Sequence, residues 1–219
     1  MSYAGRTLIP APHGQLEAIY RPASNSAERV ALVLHPHPLY GGTMHNKVVY
    51  HTAKALESDG FVTLRINFRG VGESSGGHDH GRGEVDDARV ALDYLLAQQP
   101  AAREVLVAGF SFGAAIGLRF GCDDARVHRI IAIGTPAQYL ENGILSRCDK
   151  PIAFIHGQSD QVAPLRKLEA LVGRQSVHVI PGADHFFGEH LDALEAAVSE
   201  AIHHQDHQGH QAPPRQDDR

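Results

Sequence analysis

Short apolar runs alternate with helical stripes from residue 30 onward, and that alternation limits the chain to very few folds. Val30–Leu34 is a continuous apolar run, the pattern of a strand covered on both faces. Phe61–Asn67, Glu104–Ala108, Arg129–Ile133, Ile152–His156 and Ser176–Ile180 are further strand candidates. Between or after them lie helical stretches at 46–58, 84–96, 112–120, 164–172 and 188–202. The helix over Glu84–Leu96 repeats Val85, Ala88, Ala91, Leu92, Leu95 and Leu96 on one stripe. Its first turn carries Glu84, Asp86 and Asp87, which suit the positive end of a helix dipole. Ahead of this rhythm, Thr7–Pro10 and Leu16–Tyr20 flank Pro12-His13-Gly14 as an antiparallel hairpin. The expectation is an α/β fold, a doubly wound and mostly parallel sheet with helices on both faces. In such sheets the ligand site lies beyond the carboxyl ends of the strands, so those loops are the ones to search.

Composition narrows the partners. A chain of 219 residues with 42% hydrophobic content can bury one sizeable core, here assigned to residues 1–202. A net charge of -5 argues against nucleic acid, which needs a basic face. No apolar run reaches membrane-spanning length, and the first residues lack a signal-peptide pattern. With only Cys122 and Cys148, a disulfide framework is not expected; buried packing and a reducing cytoplasm are the default. Residues 203–219 contain no Val, Ile, Leu, Phe or Met and read as a disordered, His-rich polar tail rather than a metal site. Assembly is left open, a homodimer included.

The pattern Gly-x-Ser-x-Gly occurs twice, so the pattern alone decides nothing. Ser111 follows Glu-Val-Leu-Val-Ala (104–108) and precedes the small residues Gly113-Ala-Ala-Ile-Gly117, a strand running through a sharp turn into a helix. That context lifts a hydroxyl out of a sheet edge. Ser74 sits between Gly70-Val71 and Gly76-Gly77-His78, which is loop. Ser111 is therefore the candidate nucleophile.

A serine hydroxyl needs a base and an acid that orients it. Strand 152–156 runs into Gly157-Gln158-Ser159-Asp160, and strand 176–180 into Pro181-Gly182-Ala183-Asp184-His185, so Asp160 and His185 reach the same edge. The chain order Ser, Asp, His suits this topology. Asp184 is a rival acid, but adjacent side chains diverge on an extended backbone. For the oxyanion donors, the Phe112 amide opens the helix after Ser111. The second donor should come from His35-Pro36-His37-Pro38-Leu39-Tyr40-Gly41-Gly42, where the prolines carry no N–H. His37 is the first choice and Leu39 the second, each through its backbone.

Taken together, HPHP-x-x-GG-T-M, N-F-R-G-x-G-x-S, G-F-S-F-G, H-G-x-x-D-x-V-x-P and G-A-D-H-F-F resemble the small, cap-less α/β-hydrolases related to dienelactone hydrolases and bacterial carboxylesterases. The resemblance spans about residues 30–190. It implies an eight-stranded sheet and hydrolysis of a small-molecule ester through an acyl-enzyme, without metal or organic cofactor. Ser111 stands where dienelactone hydrolase has cysteine. A cap in this fold usually follows the sixth strand, and here only Gly134–Pro151 fills that connection, so no large lid is expected. Leu39, Tyr40, Phe110, Phe186 and Phe187 are candidates for an apolar substrate pocket, with Phe112 beside them; about half of these aromatic and apolar residues should be core. His35 and His156 are expected to orient loops, Arg69 to brace one, and His78-Asp79-His80 to be surface loop rather than a metal site. A peptidase or thioesterase using the same triad, and a binding module without catalysis, are the competing functions.

Overall fold

The computed structural model describes residues 5–22, 28–140 and 143–208. Eight strands form one sheet in the order β1-β2-β4-β3-β5-β6-β7-β8. They are β1 (Gly5–Ala11), β2 (Gly14–Arg21), β3 (Arg29–Leu34), β4 (Val62–Ile66), β5 (Glu104–Phe110), β6 (Arg129–Ile133), β7 (Ile152–Gly157) and β8 (Val177–Ile180). The first two form the expected hairpin, and β2 pairs antiparallel with β4. All remaining pairs are parallel. The helices are α1 (Lys47–Ser58), α2 (Arg82–Gln98), α3 (Phe112–Asp123), the single-turn α4 (Ile144–Arg147), α5 (Leu165–Val172) and α6 (Leu191–Gln208).

Side chains of alternate parity divide the core between two faces. Val30, Leu32 and Leu34 pack with Val105, Val107 and the apolar sides of α2 and α3. Ala31 and Val33 pack with Leu106, Ala108 and the apolar sides of α1 and α6. A continuous apolar run in the sequence is what this two-sided burial requires.

From β3 the chain crosses to β4 on one side, and from α2 it returns to β5 on the other side of β3. The order therefore reverses between β3 and β5, where Leu34 is registered with Gly109. This switch point puts the loop after β3 beside the turn after β5. Two interactions hold that edge in place. The buried His35 ring accepts the Phe68 N–H at Nε2 over 3.0 Å and lies 2.6 Å from the Pro36 carbonyl at Nδ1. A carbonyl only accepts, so Nδ1 carries the proton and the ring is neutral. Arg69 grips Asp87 of α2 with both Nε and Nη2, and Asp87 also accepts the Arg69 amide. Both residues brace loops, as the sequence suggested.

Two expectations need correction. Cys122 and Cys148 are not free: they form a disulfide, because the last turn of α3 and the chain leaving α4 bring their Cα atoms to 4.8 Å. Spacing alone could not reveal that convergence. The pairing removes the cysteine argument for a reducing compartment. Helix α6 continues to Gln208, six residues into the segment read as tail; residues 209–219 lie outside the described residues. No helix among the described residues is long and apolar enough to cross a membrane.

Breaking the disulfide by Cys122→Ser should cost about 3 kcal/mol, from the entropy of closing a loop of this length. Chemical denaturation with and without reductant measures it; identical curves would rule the bond out. Burial pushes the His35 imidazolium down to about 4 from an ordinary 6.5. The unfolded chain thus binds a proton that the folded chain refuses between those values, so stability falls as pH drops from 6.5 to about 4. The loss amounts to about 3 kcal/mol, and urea titrations of His35→Gln should show a flatter profile over that interval.

Candidate active site

Ser111 leaves β5 at φ 55 and ψ -113, left-handed backbone that a non-glycine residue seldom adopts. Its neighbours explain how the turn is tolerated. A Cβ on Gly109 would stand 2.2 Å from the Gly113 carbonyl oxygen, and one on Gly113 would stand 2.4 Å from that of Leu34. Both glycines are required by backbone contacts rather than by flexibility. The Ser111 N–H donates to the Ile133 carbonyl over 2.8 Å, fastening the turn to β6.

Asp160 and His185 arrive on loops that are joined to each other. The Gln158 amide donates to Ile180 O, the Ser159 amide to Ala183 O, and the Gly182 amide to Gln158 Oε1. A Cβ on Gly157 would lie 2.5 Å from the Ala183 carbonyl, so this approach also needs glycine. The outcome is a line of side chains. His185 Nδ1 is 2.7 Å from Asp160 Oδ2, and His185 Nε2 is 3.1 Å from Ser111 Oγ. Asp160 Oδ1 accepts the Ala163 amide over 2.7 Å, which fixes the carboxylate. His156 donates from Nε2 to the Ala163 carbonyl, holding the same turn, and burial pulls its protonation below the ordinary range. The rival Asp184 is occupied: its Oδ1 accepts the Phe186 amide. Ser111, His185 and Asp160 are all nearly buried, yet Ser111 and His185 both line an open cleft of about 260 Å³.

That cleft is walled by the loop after β3. Phe112 is the first residue of α3, so its amide is among those with no acceptor inside the helix. Of the two alternatives in the β3 loop, the Leu39 amide is engaged, donating to His37 Nδ1 over 3.2 Å. The His37 carbonyl accepts from Tyr40 and Gly42, and a Cβ on Gly42 would strike Pro36 O at 2.1 Å, so the loop is tightly wound. Burial and the neighbouring His78 both lower the protonation of the His37 ring.

The expected pocket residues divide. Tyr40 and Phe186 line the cleft and are largely exposed. Phe110 and Phe187 do not: they are 1% and 0% exposed, within the core between the sheet, α1 and α6. Phe110 contributes from beneath, its ring centroid 5.0 Å from that of His185. Leu39 is 67% exposed and outside the lining. Phe187, at φ 55, turns inward immediately after Phe186 turns outward, so the set divides between cleft and core, as the sequence led us to expect of about half of it. Asn46 and Val162 line the cleft without having been singled out. In the sequence Asn46 reads only as the first residue of the helical stretch 46–58; it caps α1, its side chain accepting the Val48 amide. Val162 sits within the H-G-x-x-D-x-V-x-P stretch, two residues beyond Asp160.

The second Gly-x-Ser-x-Gly motif is structural. Ser74 Oγ donates to the Asn67 carbonyl and accepts the Glu17 amide, both buried. His78 and Asp79 serve the start of α2, His78 Nδ1 lying 2.7 Å from Glu84 and Asp79 accepting the Gly83 amide. Among the described residues there is no group of three or more ligating side chains suited to a metal.

The family described as alpha/beta hydrolase fold matches residues 32–146. An uncharacterized protein of Rickettsia prowazekii is 39% identical over 203 residues, 87% of this chain and 85% of its own. A protein of unknown function from Agrobacterium tumefaciens superposes with a TM-score of 0.86 at 32% identity, covering 96% of this chain and 100% of that one. A serine hydrolase without lid from Xanthomonas campestris superposes with a TM-score of 0.82 at 31% identity, covering 94% and 96%. With the family matched across both the strand before the His37 loop and the Ser111 turn, and with no large cap between β6 and β7, this chain belongs to the alpha/beta hydrolase family.

Proposed function

We propose that the protein is a serine carboxylesterase acting on short-chain or activated esters of small molecules. The observation that carries this reading is the uninterrupted line from Ser111 Oγ through His185 to Asp160, at 3.1 and 2.7 Å. Ser111 Oγ attacks the ester carbonyl carbon as its proton passes to His185 Nε2. Asp160 keeps the Nδ1 proton in place and stabilises the imidazolium. The oxyanion forms between the His37 and Phe112 amides; the engagement of the Leu39 amide supports His37 as the second donor. The C–O bond to the alcohol then breaks, and the leaving oxygen takes the proton from His185. Water, losing its proton to the same nitrogen, attacks the acyl-enzyme and releases the acid with regeneration of Ser111.

Size of the cleft supports the substrate class. About 260 Å³ falls below the range that encloses a drug-sized ligand, so it suits a small acyl group with the alcohol reaching solvent. Tyr40, Val162 and Phe186 at the rim supply apolar contact. No metal or organic cofactor enters this scheme, and a cytoplasmic location is compatible with it.

Ser111→Ala should lower kcat by about 10⁴-fold or more and abolish labelling by a fluorophosphonate probe. Labelling that persists in this variant would remove Ser111 as nucleophile. Across p-nitrophenyl esters, kcat/KM should peak at acetyl to butyryl chains; faster turnover of acyl-CoA thioesters or aminoacyl amides would reject the esterase reading. The His37 donor can be tested by one atom. His37 has φ -55, which proline accommodates, so His37→Pro deletes the amide hydrogen while keeping the backbone direction. It should reduce kcat by about 10²-fold, whereas His37→Ala, which keeps the amide, should stay within about tenfold of wild type. Equal losses in the two variants would assign the effect to the imidazole instead.

A further inference from the structure

A second cavity, of about 240 Å³, opens beside α1, and Ser111, His185 and Asp160 are not among its lining residues. Its walls are Arg21, Tyr50, Lys54, Glu57 and Arg65. In a chain of net charge -5, three cations facing one carboxylate is a local reversal. The sheet brings two of them together: β2 and β4 register Ile19 with Arg65 and Arg21 with Thr63, so Arg21 and Arg65 project from the same face two residues apart.

Arg65 is the unusual member. Only 4% of the residue is exposed, and among the described residues its guanidinium makes one hydrogen bond, from Nη1 to the Met44 carbonyl at 3.1 Å. Its Nε–H is buried without an acceptor. Among the described residues no carboxylate lies within 4 Å of it. Glu57, the acid of this cavity, accepts the Thr63 hydroxyl at 2.6 Å. Burial works against the Arg65 cation and so does the like charge of Arg21, while the nearby charge of Glu57 offsets only part of this and the Tyr50 ring, 5.4 Å away, offers a weak cation–π contact. A buried charge normally keeps a partner, because an uncompensated one costs several kcal/mol. The neighbouring Lys54 donates to both carboxylate oxygens of Glu195 on α6 and keeps half its side chain in solvent, so a phosphate would share this ammonium with Glu195.

We infer that Arg65, Arg21 and Lys54 form a binding site for a phosphate group, with the buried Arg65 as anchor and the two exposed cations closing over it. Guanidinium groups match the planar spacing of phosphate oxygens, and the ammonium adds a point charge. The cavity holds a phosphate or a small phosphomonoester, not a nucleotide. The site is independent of the ester cleft and of its chemistry. One link connects them: Arg65 holds the Met44 carbonyl, Asn67 holds the Met44 amide at 2.8 Å, and Asn46, two residues on, lines the cleft.

Thermal unfolding and calorimetry in inorganic phosphate, against chloride at matched ionic strength, test this directly. With millimolar affinity, about 10 mM phosphate should raise Tm by about 3–5 °C and titrate to saturation. Glycerol phosphate run beside it separates the two sources: tighter binding than inorganic phosphate identifies a phosphorylated metabolite, and weaker binding identifies the free ion. Arg21→Ala and Lys54→Ala alter exposed side chains and leave the core intact, and each should weaken phosphate binding at least about tenfold. Absence of a saturable shift with either ligand would overturn the site. So would affinities unchanged in Arg21→Ala and in the Arg21→Ala/Lys54→Ala double variant.

Discussion

The close approach of the α3 backbone to the ends of β3 and β5 is the contact on which the rest depends. Gly113 lies where any side chain would collide with Leu34 and His35, and Gly109 lies where one would collide with Gly113. That approach forces Ser111 into the left-handed region and points its hydroxyl at the loop edge. Strain of this kind costs of order 1–3 kcal/mol and persists only where the surroundings overdetermine it. Here they do: the Ser111 amide is bound to β6, its carbonyl accepts from Ala114 and Ala115, and Leu34 is in register with Gly109. The same contact brings the His37 loop beside the start of α3, where the His37 and Phe112 rings meet with centroids 4.8 Å apart. A single packing constraint therefore sets both the hydroxyl and the donors proposed for the oxyanion.

Polar groups around that volume are arranged so that each histidine has one defined proton. His35 and His156 each face a carbonyl that only a protonated ring nitrogen can satisfy. Burial pushes the protonation of both rings below the ordinary range, that of His35 to about 4. Their role is to hold turns: His35 holds the end of β4, and His156 holds the turn whose Ala163 amide fixes Asp160. The carboxylate thus faces His185 with one oxygen and the backbone with the other. A rotation of Asp160 that lost the His185 contact would also strand the Ala163 amide. Buried polar groups left unpaired carry the full cost of desolvation, which keeps the arrangement rigid.

Much of this was legible in the sequence, for identifiable reasons. Continuous apolar runs such as Val30–Leu34 signal two-sided burial, and the strand–glycine–helix context separates Ser111 from Ser74, although both carry the same five-residue pattern. The convergence of Ser111, His185 and Asp160 was legible because strand ends share an edge in a parallel sheet, so a loop position suffices to place a side chain. Where the reading failed, position along the chain was not enough. Phe186 and Phe187 are neighbours with opposite fates, decided by one left-handed residue that no pattern of hydrophobicity encodes. The Cys122–Cys148 bond depends on how the connection after β6 packs back on α3, a tertiary event between segments 26 residues apart. Arg65, the one charged residue of β4, was passed over because a single charge in a strand reads as noise until its surroundings are known.

That same connection explains why the cleft stays open. The chain between β6 and β7 could in principle fold across Ser111, yet its second half is tied down elsewhere. Cys148 is bonded to Cys122, and Lys150 donates to the carbonyls of Gly121 and Asp124 at the carboxyl end of α3. Cys122 lies eleven positions beyond Ser111 along α3, so these ties pull the connection about 16 Å along the helix axis from the hydroxyl. Among the described residues of this connection, Tyr139 packs edge-on against Phe112 with centroids 6.4 Å apart, near the site. An ester bound here would meet walls on its sides and water above. Discrimination must then come from the rim formed by Tyr40, Val162 and Phe186 rather than from enclosure, and apolar rims of that size separate substrates by only about 1–3 kcal/mol per methylene. For the esterase activity proposed above, breadth toward small substrates would follow from where the disulfide and the lysine anchor the chain, far from Ser111.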